Sequence, residues 1–191
     1  MVVAKQAATL DVMSHGRLVP GVGAGWSKGE FAALGVPFEH RGARNGRVCV
    51  RHARDLANDV ASFKGRFVGF DAKCVYPKPM RDRRVPIAFG GNSDAALRRT
   101  ASHGDGWYGF NLADVEAVRD HVTRLRDYSA AADRPFDELD IAVAVSECEP
   151  RDLAELSAIG VDELVLVEPP PADAADAADW MAHLAERWRD A

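Results

Sequence analysis

The chain lacks the features that mark several common protein classes. Its three cysteines, Cys49, Cys74 and Cys148, lie far apart without paired spacing. That pattern contains no recognisable zinc site and gives no support for a disulfide framework. No apolar run is long enough to cross a bilayer, and no signal-peptide pattern follows Met1. These absences predict a soluble cytoplasmic protein with no metal and no membrane partner.

The chain also lacks the positive charge that nucleic acid requires. Its formal net charge is -5 and its sequence pI is about 5.7, so no basic face for a phosphate backbone is expected. Hydrophobic residues make up 47% and charged residues 28% of the 191 positions, which are values typical of globular proteins. We therefore expect one domain over residues 1–191, with a small molecule rather than a nucleic acid as its ligand.

Strand and helix patterns alternate along the chain, which predicts a parallel sheet covered by helices. Either an open doubly wound sheet or a (β/α) barrel fits this alternation. A strand-like pair within residues 61–76 predicts a small hairpin outside the main sheet. The main strands are expected at 17–25, 85–89, 106–109, 140–146 and 163–168, and helices at 3–14, 30–34, 43–58, 113–132, 151–159 and from 172.

The segment at residues 85–110 is the most informative part of the sequence. Its first apolar run ends at Gly90 and Gly91, Asn92 or Ser93 then begins a helical pattern, and Gly104 ends that helix before the next strand. Such a turn presents backbone N–H groups at a helix N-terminus, where a phosphate can bind. The same spacing is equally compatible with a short βα loop whose glycines only allow a tight turn.

A second glycine-rich segment follows the strand expected at 17–25. It invites a dinucleotide-binding interpretation, but the spacing fails. The third glycine of G-x-G-x-x-G, counted from Gly21 or from Gly23, falls on Trp26 or Lys28. A nicotinamide-binding domain is therefore disfavoured.

Several motifs in a fixed order identify the chain as similar to one family. They are GRLVPGVGAGW, ALGVPF, RGAR, SFKGRFVGF, VPIAFGGNSDAALRRTASHGDGW and GVDELVLV. Together they resemble the luciferase-like monooxygenase family, especially its members that use the deazaflavin coenzyme F420. The resemblance covers nearly the whole chain. It implies a (β/α)8 barrel that binds a flavin or deazaflavin at the carboxyl ends of its strands.

The resemblance also implies where the cofactor would bind. Gly90, Gly91, Asn92 and Ser93 would contact its phosphate or ribityl chain, and Gly23, Gly25 and Trp26 would lie beside its ring or the substrate. Glycines suit both places because no Cβ keeps a ring or phosphate away from the backbone. Trp26 could equally pack at the barrel rim, and Asp105 is expected to organise a turn rather than to take part in chemistry.

The resemblance implies a barrel of which about strands four to eight are present. Acidic and histidine residues of the family's first three strands have no counterpart here, so no catalytic residue is assigned. We expect an oxidoreductase that transfers a hydride between F420 and an organic substrate. The alternatives are an FMN-dependent monooxygenase and a non-catalytic flavin-binding chain that associates with another. Two open sheet edges, at 17–23 and 163–167, predict self-association and weak cofactor binding.

Overall fold

The computed structural model describes residues 2–45, 59–64, 69–74, 76–81 and 84–189. Residues 41–45 are helical, and the rest of the helix expected at 43–58 lies outside the described residues. The helices are α1 (Val2–Met13), α2 (Lys28–Ala33), α3 (Asp94–His103), α4 (Val115–Ala131), α5 (Leu153–Ile159) and α6 (Ala177–Arg189). The strands are β1 (Gly21–Val22), β2 (Ala61–Lys64), β3 (Gly69–Lys73), β4 (Ala88–Gly90), β5 (Gly106–Leu112), β6 (Asp140–Val145) and β7 (Glu163–Leu164).

Five strands form one parallel sheet in the order β1-β4-β5-β6-β7. This order confirms the expected succession of parallel neighbours. Strands β2 and β3 form a separate antiparallel pair, which confirms the expected hairpin between residues 61 and 76. Each parallel connection passes through at least one helix, and the connection from β1 to β4 contains the hairpin as well as α2.

One face of the sheet carries the hydrophobic core. Helices α3, α4 and α5 contribute apolar side chains at helical spacing, β6 contributes every second residue, and β5 contributes Trp107 and Leu112. Trp107 and Ile141 are the largest strand residues of this core, and both are almost fully buried. The remaining buried members include Leu97, Ala101, Leu112, Val118, Val122, Leu125, Leu139, Val143, Val145, Leu156 and Ile159.

The opposite face of the sheet carries small or partly exposed residues. Ala88, Gly90, Tyr108 and Ala142 are only half-buried, and Phe110 is 55% exposed. Because side chains alternate across a strand, these residues point away from the helix-covered core. Among the described residues, this face has no layer of helices comparable to α3, α4 and α5.

The two outer strands are shorter than the sequence predicted. Strand β1 occupies only Gly21–Val22 and is half-exposed, so the expectation of a buried strand at 17–25 is wrong. Two residues limit it: Pro20 has no N–H for the ladder, and Gly25 has φ +78°, which ends the extended conformation. Strand β7 stops at Leu164, although the N–H of Val165 still donates to the carbonyl of Val143 at 2.8 Å.

Two aspartates hold neighbouring strands together at their amino ends. The Asp105 carboxylate accepts from the N–H of Ile87 at 2.8 Å, and the Asp105 N–H donates to the Ile87 carbonyl at 2.8 Å. Asp162 makes the same reciprocal pair with Ile141, at 2.7 and 2.9 Å. Asp105 also pairs with Arg84. The structure thus agrees with a turn-organising role for Asp105.

We expect Asp162→Ala to lower the free energy of unfolding by about 1–3 kcal/mol, because the Ile141 N–H loses its acceptor at the start of a buried strand. Asp162→Asn keeps an acceptor oxygen in the same place and should lose clearly less. Urea denaturation of both variants measures the difference. Equal losses for alanine and asparagine would show that this hydrogen bond does not hold the strand.

Among the described residues, no helix is both long and apolar enough to cross a membrane. The C-terminal helix α6 instead carries Trp180, Leu184 and Trp188 on one half-buried side.

Candidate functional site

The two glycine segments singled out in the sequence lie at the same edge of the sheet. Strands β1 and β4 are parallel neighbours with Val22 opposite Phe89, so residues 23–26 and 90–93 leave the sheet side by side at its carboxyl edge. A Cβ added to Gly90 would have the carbonyl oxygens of Val22 and Tyr108 as its nearest neighbours, both at 4.0 Å. The structure therefore brings the predicted cofactor residues together.

The turn between β4 and α3 is shaped by Gly91 and capped by Ser93. Gly91 has φ +118°, a conformation that side chains rarely adopt, and an added Cβ would lie 3.2 Å from the Cβ of Ala96. The Ser93 hydroxyl accepts from the N–H of Ala96 at 3.3 Å, which makes Ser93 the N-cap. Within the described part of the chain, the N–H groups of Asn92, Ser93, Asp94 and Ala95 have no acceptor.

Asn92 is held beside this turn by an irregular part of β5. Its Nδ2 donates to the carbonyl of Phe110 at 2.7 Å, while its Oδ1 is buried and has no partner among the described residues. The register between β5 and β6 shifts between Gly109 and Leu112, and Asn111 has φ +54°. This β-bulge directs the Phe110 carbonyl at Asn92. The sequence analysis missed it, and the only available signal was the asparagine that follows an apolar strand.

Trp107 stabilises the turn from the core side of the sheet. Its side chain is fully buried, and its Nε1 donates to the Gly91 carbonyl at 3.0 Å. Its ring stacks on that of His121, with centroids 5.9 Å apart and planes at 9°. Because the Gly91 carbonyl is fixed in this way, the N–H groups that follow it are fixed as well. From the sequence, this residue was predicted only to lie in the strand at 106–109.

Arg124 partly offsets the negative charge of two carboxylates near the turn. The Asp94 carboxylate lies in the first turn of α3, where it would repel a bound anion. Arg124 of α4 pairs with it at 3.1 Å and with Asp120 at 3.5 Å. With Asp94 paired to Arg124, the N–H groups that lack an acceptor among the described residues and the positive end of α3 still favour an anion.

The neighbouring turn after β1 is also set by a glycine. An added Cβ at Gly25 would lie 2.8 Å from the ring of Phe31, and the Gly25 carbonyl accepts from Arg41 Nε at 3.0 Å. Gly23 has open space around it, with nothing within 4 Å of an added Cβ. Trp26 is 87% exposed, and both interpretations of it, as a pocket wall or as a rim residue, stay predictions.

A polar cavity of about 680 Å³ opens further along the carboxyl edge, beyond β5 and β6. It contains the half-buried Cys148, whose thiol pKa is raised above its usual value, first by burial and then by the carboxylates of Asp152 and Glu149. A raised pKa leaves less reactive thiolate at neutral pH. Its other lining residues are Asp114, Val115, Glu116, Ser146, Glu147, Arg151, Glu168 and Arg187.

We expect Cys148 to react with iodoacetamide more slowly than Cys74 at pH 7.5, because Cys74 is exposed while Cys148 is half-buried with a raised pKa. Mass spectrometry of timed samples measures both rates. Raising the pH toward 9 should speed the reaction of Cys148. Equal rates at neutral pH would contradict the described environment.

Among the described residues, no group of three or more histidine, cysteine, aspartate or glutamate side chains could hold a metal ion. The ring of His121 stacks on Trp107, and His15, His40, His103 and His183 are exposed. His52 lies outside the described residues.

The chain is similar over its whole length to one protein family, described as luciferase-like monooxygenase, whose model matches residues 1–191. It is 37% identical to an FMNH2-dependent dimethylsulfone monooxygenase of Pseudomonas putida over 131 aligned residues. These residues cover 67% of this chain and 36% of that protein. It is 34% identical over 187 residues to an uncharacterized protein of Mycobacterium tuberculosis, 97% of this chain and 64% of that protein. It thus spans about a third to two thirds of these relatives.

Solved structures show the same fold. An F420-dependent secondary alcohol dehydrogenase, in complex with an F420–acetone adduct, superposes with a TM-score of 0.77 at 16% identity and covers 98% of this chain and 74% of that one. An F420-dependent tetrahydromethanopterin reductase of Methanopyrus kandleri gives a TM-score of 0.64 at 21% identity, over 75% of this chain and 45% of that one. These neighbours are barrel enzymes, which confirms the expected α/β fold class.

Proposed function

Since this chain belongs to the luciferase-like monooxygenase family, we propose that it forms the phosphate-binding side of a flavin-type cofactor pocket in an oxidoreductase. The observation that supports this proposal most strongly is the structure of the turn at residues 90–95. Its N–H groups are free among the described residues at the positive end of a ten-residue helix. Backbone donors at a helix N-terminus favour a phosphate.

Two further features of the turn fit a phosphorylated ribityl chain. Asn92 Oδ1 is a buried acceptor without a partner among the described residues, and a ribityl hydroxyl could donate to it after a small movement. Gly90 and Gly91 leave the backbone uncovered by any Cβ, so a ligand can approach the N–H groups closely. Both F420 and FMN carry a ribityl phosphate, so these features suit either cofactor.

The residues after β1 would contact the ring of that cofactor or the substrate. Gly23 has open space around it, and the exposed indole of Trp26 offers a flat apolar surface in the segment that follows β1. Aromatic side chains favour stacking on planar rings. In this assignment Gly23, Gly25 and Trp26 shape the pocket, and Gly90, Gly91, Asn92 and Ser93 hold the phosphate and ribityl chain.

The finer proposal is hydride transfer between F420 and a small organic substrate. When bound, a reduced deazaflavin supplies a hydride, and this chain's residues bind and orient it. The similarity of fold to the two F420-dependent enzymes supports this choice, with nearly the whole chain superposing on one of them. We assign no proton-transfer residue, because Asp94, the acidic side chain of the turn, is already paired with Arg124.

A second candidate is a monooxygenase that uses reduced FMN. The relative from Pseudomonas putida, whose name states FMNH2 dependence, favours it. A third candidate is a chain that binds flavin without catalysis. Binding of a cofactor without any turnover would favour it.

The test is a titration of the purified chain with FMN, riboflavin and F420, followed by fluorescence. We expect FMN to bind at least about 10-fold more tightly than riboflavin, since a charge-assisted hydrogen bond contributes about 1.5–3 kcal/mol. Tighter binding of F420 than of FMN would support the hydride-transfer proposal, and the reverse would support the monooxygenase. Equal affinities for FMN and riboflavin would contradict the phosphate assignment.

A further inference from the structure

We propose that Asn111 is a positioning residue for the cofactor's ribityl chain. Its backbone conformation holds the bulge in β5, the bulge aims the Phe110 carbonyl at Asn92, and Asn92 then presents its Oδ1 to a ribityl hydroxyl. This inference rests on the proposed function, because it names the residue that sets the hydroxyl-binding part of the same site. All of these contacts lie within one turn and the two neighbouring strands β5 and β6.

The bulge gives β5 one more residue than β6 at the carboxyl end of this strand pair. Gly109 lies opposite Val143 and Leu112 lies opposite Val145, so three steps along β5 match two steps along β6. In a regular strand, Asn111 would follow the buried Gly109 on the core side. The extra residue instead brings Leu112 into the core, where it is 3% exposed, and leaves the polar Asn111 exposed. Burial of Leu112 therefore keeps the bulge in place.

Asn111 supplies the backbone conformation that this bulge needs. Its φ of +54° lies in the left-handed region, which glycine and asparagine enter far more easily than β-branched residues do. The Ser146 hydroxyl donates to Asn111 Oδ1 at 3.4 Å, and the Ser146 N–H donates to the Leu112 carbonyl at 2.8 Å. The Phe110 carbonyl belongs to the peptide bond next to this φ angle. A residue at position 111 that disfavours a positive φ would therefore shift that carbonyl.

The Phe110 carbonyl determines which way the Asn92 amide faces. A carbonyl oxygen can only accept, so the Asn92 atom that lies 2.7 Å from it is Nδ2. The Oδ1 on the other side of that amide is buried and has no partner among the described residues. Such an acceptor repels phosphate oxygens and favours a hydroxyl donor. The turn therefore offers two kinds of group, which are backbone donors for a phosphate and one side-chain acceptor for the ribityl chain.

The experiment is a fluorescence titration of the whole chain with FMN, riboflavin and lumiflavin. Lumiflavin has the same ring as riboflavin, with a methyl group in place of the ribityl chain. Asn111→Val is the test variant, and Asn111→Gly is the conservative variant, since glycine adopts a positive φ without strain. Asp133→Val is the matched control, because Asp133 also has a positive φ, of +53°, and lies between α4 and β6 at the opposite edge of the sheet.

We expect Asn111→Val to weaken FMN and riboflavin binding about 3- to 10-fold each, the effect of one neutral hydrogen bond, and to leave lumiflavin binding unchanged. Asn111→Gly and Asp133→Val should bind all three ligands as the wild type does. The proposal is overturned by a wild type that binds riboflavin no more tightly than lumiflavin, by an equal loss of lumiflavin binding in Asn111→Val, or by an Asn111→Gly variant that binds as weakly as Asn111→Val.

A double variant tests whether Asn111 acts through Asn92. Asn92→Ala should weaken riboflavin binding and spare lumiflavin binding, and Asn111→Val should cause no further loss in the Asn92→Ala background. In the 15N-labelled chain without ligand, the side-chain amide resonances of Asn92 should move in Asn111→Val and stay in place in Asn111→Gly. Additive losses, or Asn92 resonances that do not move, would contradict the positioning role.

Two comparisons keep this inference separate from the proposed function. The ratio of FMN to riboflavin affinity reports the phosphate, and it should be the same in the wild type and in Asn111→Val. Equal wild-type affinities for FMN and riboflavin would contradict the phosphate assignment alone, since the comparison of riboflavin with lumiflavin does not involve the phosphate. If Asn111→Val does not fold, Asn111→Ala takes its place in each comparison, because alanine has a smaller penalty at a positive φ.

Discussion

Replacement of Asp94 by proline is expected to weaken FMN binding about 10- to 100-fold, the effect of losing one charge-assisted hydrogen bond. Asp94 is the first residue of α3 after the N-cap Ser93, and its N–H has no acceptor among the described residues. Proline is well tolerated at this position because the helix needs no donor there. Ser93 already has the extended conformation that a following proline requires, with φ -76° and ψ 153°.

The matched control is Asp94→Ala. Both substitutions remove the ion pair with Arg124, but alanine keeps the N–H. Alanine should therefore leave FMN binding unchanged or slightly stronger, because a negative charge is removed from the turn. Circular dichroism should show intact helix in both. A bulky residue at position 91 would also abolish binding. Because Gly91 has φ +118°, that substitution would also strain the fold, and the loss of binding could not be separated from the loss of stability. Equal FMN affinities for the proline and alanine variants would contradict donation by this N–H.

The largest loss of stability is expected for Trp107→Ala, about 3–5 kcal/mol, which is typical for truncation of a buried aromatic side chain. The cavity would lie between β5 and α4, and the Gly91 carbonyl would lose the donor that fixes the turn. Since small domains are stable by only about 5–15 kcal/mol, this variant could unfold. Chemical denaturation measures the loss.

Trp107→Phe separates packing from the hydrogen bond. Phenylalanine keeps most of the ring that stacks on His121 but cannot donate to Gly91. We expect it to lose less stability than alanine and still to weaken FMN binding, because the turn is no longer fixed from below. A phenylalanine variant that binds FMN as the wild type does would show that Trp107 acts on stability alone.

The strand order could be predicted because each strand carries its own local signal. The glycine turn at 90–91, the Ser93 cap and the apolar spacing of α4 all depend on residues close together in sequence. The placement of residues 23–26 beside 90–93 then follows, since consecutive parallel strands share a carboxyl edge.

The contacts that shape the site could not be predicted from those signals. The bond from Asn92 to Phe110 depends on a bulge in β5, which arises from the register between β5 and β6. Trp107 reaches Gly91 only because β4 and β5 are neighbours. The short β1 was also missed, because apolar residues at 18–22 suggested burial, whereas burial depends on what covers the strand.

The central claim is that the backbone donors at residues 92–95 hold the cofactor's phosphate. The most direct test is a titration of 15N-labelled chain with FMN, with riboflavin as the matched ligand that lacks the phosphate. We expect the amide resonances of Asn92, Ser93, Asp94 and Ala95 to show the largest shifts with FMN and small shifts with riboflavin. FMN binding that leaves these four amides unchanged, or that mainly shifts those beside the cavity at Ser146–Asp152, would contradict the account.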